Sequence, residues 1–509
     1  MICVSIGRGR HRHMIHEYRH LVEHQAELVE LRLDYIIGPV SLKRLLAEKK
    51  SKVIVTCRRP EDGGKWTGTE EARATLLRHA IAMGVDYVDL EEDLATQIPR
   101  FGSTQRIISH HDFNKTPDNL DQIHDRLSAL DADIVKITTM ANSPRDNVRM
   151  LRMVRDAKIP TVGMCMGEIG TSSRILVGKF GAPFTYATFH HERALAPGQL
   201  SYHDMRHIYR YDQIDRNTEV YGVIADPIGH SLSPIIHNAC FDHFGMNRVY
   251  VPLRIPREEL DQFMDDAREL GIRGISVTIP HKEAVIRKLH KVHGAVRSIN
   301  AANTVVFNGE GTVGYNTDYH AAMQCVDLAM STDPSDQPLS GRKALLLGAG
   351  GVAKSIAFGL TRRGADVVIT NRTAERAEQL ASDFECHTIP WTRRHAVKPD
   401  LIINATPIGM HPNVDETPFD KHYLQPGMVV FDTVYNPEST LLLKDAFQKN
   451  CKVVTGVEMF VRQAAHQFQL FTNQEAPMEL MRETLKRTTG AVKIQRKNND
   501  ESESPDHAD

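Results

Sequence analysis

The chain has 509 residues, 41% hydrophobic and 25% charged, a globular balance with room for two to four domains. Its formal net charge of -2 offers no basic field for nucleic acid or an anionic membrane, which leaves small-molecule chemistry as the expectation. The seven cysteines stand singly without C-x-x-C spacing, against a disulfide framework or a zinc site and in favour of a reducing cytoplasm.

In chain order, "ICVSIG" opens the pattern with no apolar leader before it, and no later run is long enough to span a bilayer, so neither secretion nor anchoring is expected. Eight strand-like runs follow one another over residues 1–215: "CVSIG", "LVELRL", "VIVTCR", "YVDLE", "RIISHH", "DIVKIT", "TVGMCM" and "FTYATF". Helix-length segments separate them, the count and length of a closed (β/α)8 TIM barrel. The pattern restarts at "YGVIADPIGHSLSP", and a turn-rich connection, "SDQPLSGRKALLLGAGG", leads into a further strand and helix. The polar stretch over 491–509 is expected to be a disordered tail. His16, His20 and His24 lie four apart on a predicted helix, but no cysteine or carboxylate cluster completes a metal site, and a solvated face is the simpler reading.

Within the barrel, "DADIVKITTM" sets Lys136 in the middle of a buried apolar run, a costly place for an ammonium. Strand alternation turns Val135 and Ile137 outward and Lys136 inward. The same parity turns Glu30, Arg32, Arg58 and His111 inward, near the C-terminal strand ends where such barrels hold their sites. A desolvated lysine beside cationic groups yields a free amine, able to form an imine with a carbonyl, and His111 could move the proton on the adjacent carbon. Taken alone, Lys136 could be a lysine snorkelling to the barrel rim. The ordered set "VELRLD", "VTCRRPEDGG", "SHHDFNKTP", "DADIVKI", "SSRIL" and "APGQ" resembles type I 3-dehydroquinate dehydratase. That resemblance implies Lys136 as imine former, His111 as general acid/base, and Ser5, Glu30, Arg32, Arg58, Arg174 and Gln199 as substrate ligands. Two positions depart from the family pattern. Asp62 stands where many relatives carry a glutamate supporting the histidine, and Leu195 where many carry a lid serine.

Farther along, "GHSLSP", "SVTIPHK", "INAANTVV" and "GYNTD" supply Ser231, Ser233, Thr278, Lys282, Asn303 and Asp318, a donor set suited to a small polyhydroxylated acid. Then "KALLLGAGGVAKSIAFGL" runs a buried strand through Gly348, Ala349, Gly350, Gly351, Val352 and Ala353 into a helix, the context of a dinucleotide site. The next strand ends on Asn371, Arg372 and Thr373, with Arg376 a turn on, where an NAD enzyme would carry an acid; guanidinium groups favour the 2′-phosphate of NADP(H). The ordered motifs resemble shikimate dehydrogenase over about 218–490. The resemblance implies Lys282 and Asp318 as the catalytic pair, Ser231 and Ser233 on the substrate carboxylate, and Thr278, Asn303, Tyr435 and Gln463 around the ring. It also implies that Thr406, Thr433, Gly456 and Met459 line the nicotinamide side. Ser276 replaces the asparagine of many bacterial relatives.

The expected organisation is a dehydratase barrel over 1–215, a substrate domain over 218–320, a Rossmann domain over 321–455 and C-terminal helices over 456–490 returning to the substrate domain. The product of the first reaction, 3-dehydroshikimate, is the ketone the second half would reduce to shikimate, so a fused dehydratase and NADP-dependent dehydrogenase is the expectation. Quinate dehydrogenase as the second module and a non-catalytic metabolite sensor are the alternatives; Ser231, Ser233 and Arg372 argue against the first, the intact reacting groups against the second.

Overall fold

The computed structural model describes residues 1–229, 231–331 and 339–500, with side chains only as far as 489. Two compact units emerge, Met1–Pro234 with Gly245–Ile272, and Ile235–Phe244 with Arg273–Asp509.

In the first unit, β1 (Ile2–Ile6), β2 (Leu28–Arg32), β3 (Lys52–Thr56), β4 (Tyr87–Glu91), β5 (Gln105–Asp112), β6 (Ile134–Met140), β7 (Thr161–Met166) and β8 (Thr185–Thr188) fall on the eight expected runs. They form one parallel sheet in the order β7-β6-β5-β4-β3-β2-β1-β8. The ladder departs from the expected closed barrel by stopping between β7 and β8. Side chains close the gap there: Met164 and Tyr186 both enter the interior cluster with Cys3, Leu28, Ile54, Tyr87, Ile107, Ile134, Val162 and Phe184. This apolar floor excludes water from beneath the inward polar residues, whose desolvation is thus built into the alternation of each strand. The unit also holds the parallel pair β9 (Glu219–Ala225) and β10 (Arg248–Arg254).

The second unit carries β11 (Ile272–Val277) apart from its first residue, β12 (Lys291–Val292), β13 (Thr304–Asn308) and β14 (Gly311–Tyr315). Here β13 pairs antiparallel with β11 and β14, and β12 parallel with β14. It also carries a parallel sheet of β15 (Lys343–Leu347), β16 (Asp366–Thr370), β17 (His387–Thr388), β18 (Leu401–Asn404), β19 (Val429–Asp432) and β20 (Lys452–Val454). Its order, β17-β16-β15-β18-β19-β20, reverses direction between β15 and β18, the switch point at which doubly wound sheets bind ligands. The helix Gly456–Thr472 returns to β13, where Gln467 Nε2 donates to Asn303 O (3.2 Å) and Thr304 Oγ1 (3.1 Å). Ser276 has a use in this contact: its hydroxyl donates to Gln467 Oε1 at 2.7 Å. The last helix spans Met478–Asp500, so regular structure extends into the stretch expected as tail from residue 491; residues 501–509 lie outside the described residues, as does most of the connection before β15.

Candidate active sites

The first site stands on the apolar floor of the barrel. Lys136, 6% exposed, lies among inward side chains from β1 to β8, and the pocket above it is lined by Ser5, Glu30, Arg32, Arg58, His111, Arg174 and Gln199. Every residue the sequence nominated for this site is therefore brought to one pocket. The surroundings of Lys136 differ from the expectation. Its closest charged neighbours are carboxylates: Nζ pairs with Asp89 Oδ2 at 2.9 Å and Glu30 Oε1 at 3.8 Å, and it sits 4.1 Å from the centre of the Tyr186 ring. Glu30 in turn accepts from Ser5 Oγ (2.5 Å) and Thr56 Oγ1 (2.7 Å). Asp89 went unnoticed in the sequence, although "YVDLE" carries the same parity signal, with Tyr87, Asp89 and Glu91 alternating inward.

Asp89 is the hub. Its Oδ1 takes Arg58 at 2.8 Å and the Ser109 hydroxyl at 2.6 Å. Burial works against its charge, but Arg58, Lys136 and His111 outweigh burial and hold the carboxyl well below the usual range. Arg58 also reaches Glu91 at 3.3 Å and meets His111 Nδ1 at 2.9 Å. A guanidinium only donates, so Nδ1 accepts and the neutral ring carries its proton on Nε2. Burial, then Arg58 and Lys136, push the imidazolium well below its ordinary range, which leaves His111 neutral at pH 7. Asp62 lines the same pocket but does not support His111 as the sequence suggested: Arg59 Nε takes it at 2.6 Å, the two being only three residues apart on a short turn. Arg32 is held by Asp34 through bonds of 3.0 and 2.9 Å.

Arg174 is different. It is 2% exposed, donates only to Pro197 O (3.2 Å) and Met164 Sδ (3.2 Å), and has no carboxylate in ion-pair range among the described residues. Burial pulls its pKa down to about 10. An enclosed guanidinium without an anion is the natural partner for a substrate carboxylate. Gln199 Oε1 accepts from the N–H groups of Leu195 (2.7 Å) and Ala196 (3.2 Å), so it shapes the lid segment whose Leu195 faces the pocket.

In the second unit, Lys282 Nζ and Asp318 Oδ2 are 2.6 Å apart, with 13% and 8% of their side chains exposed. Asn303, 2% exposed, receives the Thr317 N–H on Oδ1 (2.7 Å) and gives Nδ2 to the Thr317 hydroxyl (2.9 Å), which anchors the start of the helix bearing Asp318. Thr278 is half-buried just beyond β11, Tyr435 stacks on Phe460 at 4.5 Å, and Gln463 donates to Phe460 O at 3.0 Å. Ser231 and Ser233 belong to the first unit, where the Ser231 N–H donates to Ile228 O at 3.0 Å and Ser233 opens a helix.

The glycine loop fits a dinucleotide. Gly348 has φ of +115°, and a Cβ there would lie 2.7 Å from Ala405 O, so only glycine makes this turn at the end of β15. The turn delivers Ala349, Gly350, Gly351 and Val352 to the helix Gly351–Arg362, with Ala353 buried against the sheet. Arg372, Thr373 and Arg376 are exposed beyond β16 next to Asn371, and neither arginine has an ion pair among the described residues, which leaves both guanidinium groups open to an anion. Thr406 and Thr433 are both tied to Asn404, through Thr406 Oγ1 to Oδ1 (2.6 Å) and Thr433 N to the carbonyl (2.9 Å). Gly456 is pressed against Val434 O, and Met459 packs in the apolar core. His16 and His20 on the helix His11–Glu23 and His24 just past its end are exposed, and no group of three or more suitable metal ligands occurs among the described residues.

A lysine-floored barrel joined to a Lys–Asp pair in a chain with a dinucleotide fold defines a fused lyase and oxidoreductase. The Type I 3-dehydroquinase family matches residues 2–216, the shikimate dehydrogenase substrate binding domain 223–305, the shikimate/quinate 5-dehydrogenase family 327–421 and the shikimate 5′-dehydrogenase C-terminal domain 456–486. The chloroplastic bifunctional 3-dehydroquinate dehydratase/shikimate dehydrogenase of Arabidopsis thaliana is 37% identical over 503 residues, 94% of this chain and 83% of that protein. The NADP(+) shikimate dehydrogenase of Methanothermobacter thermautotrophicus is 39% identical over 54% of this chain and 98% of its own length. A solved shikimate dehydrogenase in complex with NADP+ shares 35% identity at a TM-score of 0.50, covering 54% of this chain and 97% of its own. The chain belongs to the bifunctional 3-dehydroquinate dehydratase/shikimate dehydrogenase family.

Proposed function

We propose that this bifunctional enzyme carries two consecutive steps of one reaction sequence. The first step dehydrates 3-dehydroquinate to 3-dehydroshikimate, and the second reduces 3-dehydroshikimate to shikimate with NADPH. The observation that carries the reading is the first pocket: a buried strand lysine, a neutral histidine and an unpaired buried arginine face one space. Arg174 takes the substrate carboxylate and sets the ketone near Lys136. Once Lys136 leaves its contact with Asp89 and loses a proton, its amine adds to the carbonyl and expels water to give the imine. The imine acidifies the neighbouring carbon, His111 removes that proton, and the resulting enamine expels the ring hydroxyl as water with a proton returned by His111. Abstraction at Nε2 needs the tautomer with its proton on Nδ1, so Arg58 must first be drawn off Nδ1 by substrate. Water then hydrolyses the product imine and frees Lys136.

For the second step, bound NADPH supplies hydride to the ketone carbon. Lys282 gives its proton to the forming alkoxide, and Asp318 holds the ammonium in line for that transfer. Arg372 and Arg376 take the 2′-phosphate, and Ser231 and Ser233 take the substrate carboxylate. A cytoplasmic location agrees with seven unpaired cysteines, and no helix among the described residues is long and apolar enough to cross a membrane.

The test is a coupled assay with purified protein, 3-dehydroquinate and NADPH, with Lys136→Ala as control. NADPH oxidation should vanish in the variant and return when 3-dehydroshikimate is supplied. An unimpaired variant would remove Lys136 from the mechanism.

A further inference from the structure

We propose that Asn316, working through Ser355, is a positioning residue that fixes the dinucleotide-binding helix against the Lys282–Asp318 pair. The inference rests on the reading of that pair as the proton-transfer groups. Asn316 stands in "GYNTD", two residues before Asp318, and is 2% exposed. Its Oδ1 accepts the Tyr319 N–H at 3.0 Å, capping the helix Thr317–Met330 that carries Asp318. Its Nδ2 donates to Ala301 O at 2.9 Å and to Ser355 Oγ at 3.1 Å. The next residue, Ala302, donates its N–H to the carbonyl of Lys282 at 2.8 Å. Ser355, fully buried, lies one turn into the helix Gly351–Arg362, where a Cβ on Gly351 would come within 3.3 Å of Lys282 Cδ.

One side chain thus joins the helix of the carboxylate, the segment latched to the lysine backbone and the helix that opens the nucleotide loop. The residue type follows from the task. Serine, threonine or aspartate would cap the helix, but only an amide adds two donors to the capping acceptor, and both are in use. Ser355 has no need of Asn316 for its own satisfaction, since its hydroxyl also lies 3.3 Å from Gly351 O. The nearby Lys354–Glu283 pair, at 2.8 Å, has side chains 20% and 55% exposed, and a pair so open to water is a weak fastener. Of the two polar contacts, the buried amide one is therefore the stronger tie between the dinucleotide-binding helix and the segments that carry Lys282 and Asp318.

The experiment compares Ser355→Ala, Asn316→Ser and the double variant in the full chain. Asn316→Ser keeps a capping hydroxyl but is too short to reach Ser355. NADP+ binding and dehydratase turnover of each preparation serve as folding checks. Each single variant should lower kcat for 3-dehydroshikimate reduction about ten-fold, the scale of a sub-ångström misalignment, while KM for NADPH stays within about two-fold. The double variant should be no slower than the slower single one. Wild-type kcat in Ser355→Ala, effects that multiply in the double variant, or a loss confined to NADPH affinity would each overturn the proposal. Lys282→Met reports on the underlying reading: full reduction by that variant sinks the proton-transfer assignment, whatever Ser355→Ala does.

Discussion

Asp89→Asn isolates what the hub carboxylate does for the dehydratase. The side chain keeps its shape and loses its charge at a position 1% exposed, where Asp89 meets Arg58 at 2.8 Å, Lys136 at 2.9 Å and Ser109 at 2.6 Å. Removing one partner of a buried ion pair costs about 3–5 kcal/mol. Glu91 remains 3.3 Å from Arg58 and Glu30 3.8 Å from Lys136, so the net loss should lie near the lower end, about 3 kcal/mol. For a barrel of this size that lowers its melting transition by roughly 6–12 °C. The sign with pH follows from the depressed carboxyl. Its stabilisation is complete above the unfolded value of about 3.9 and fades as pH falls through the depressed folded value, so wild type and variant should differ equally at pH 6 and 8 and converge only in strong acid. Thermal unfolding across that range is the first assay. The second is borohydride trapping of the substrate on Lys136, read by mass, which should slow at least ten-fold because Arg58 and Lys136 lose the anion they share and repel one another out of their places in the pocket. An unchanged melting temperature at pH 7 together with wild-type trapping would refute the hub assignment.

Three further outcomes are expected. Asp62→Ala should lower dehydratase kcat by less than about five-fold, the ceiling for a partly exposed pair worth up to ~1 kcal/mol, because Asp62 serves Arg59; a loss of a hundred-fold would restore it to His111. Arg372→Ala should raise KM for NADPH roughly 10- to 100-fold and leave KM for NADH unchanged, the loss of a charge-assisted hydrogen bond worth about 1.5–3 kcal/mol; equal effects on both cofactors would contradict a 2′-phosphate site. Asp432, fully buried, has its carboxyl pushed up to about 6 by burial, against the Val434 N–H, Thr440 hydroxyl and Asn404 amide that donate to it. A raised folded pKa stabilises fully below the unfolded value and is lost as pH rises through about 6, a swing of about 3 kcal/mol. Asp432→Asn should flatten the stability of the second unit between pH 4 and 8, and an unaltered pH profile would show that the charge is carried without penalty.

Alternation made much of this legible. In β2, β5 and β6 the period of two separates Glu30, Arg32, His111 and Lys136 from their apolar neighbours, and the fold keeps that separation because a slip of one residue would turn the whole apolar set away from the helices. The glycine loop was equally readable, since a strand end, a left-handed turn and a helix start follow one another within a few residues. What escaped was the identity of partners. Parity says that a side chain points inward but not whom it meets across a barrel, so Lys136 was expected beside cationic groups, with Glu30 turned inward among them, and in fact pairs with Asp89 and Glu30. Asp62 differed for a related reason: the family resemblance implied support of His111, while Arg59, three residues before it on the same turn, closed the pair locally.

The difference between these two carboxylates carries the larger lesson for the mechanism. Asp89 reaches Lys136 and Arg58 from a third strand, so its charge is fixed by the packing of the barrel and cannot relax when substrate enters. Asp62 is tied to a neighbour on an exposed turn and can exchange partners at little cost. A site built this way keeps the electrostatics around Lys136 rigid and leaves adjustment to its rim, where Asp62, Leu195 and Gln199 line the pocket. Arg174 fits the same division: it is buried and has no ion pair among the described residues, so on the proposed reading its charge would meet the substrate carboxylate from a place fixed by the fold rather than by the lid.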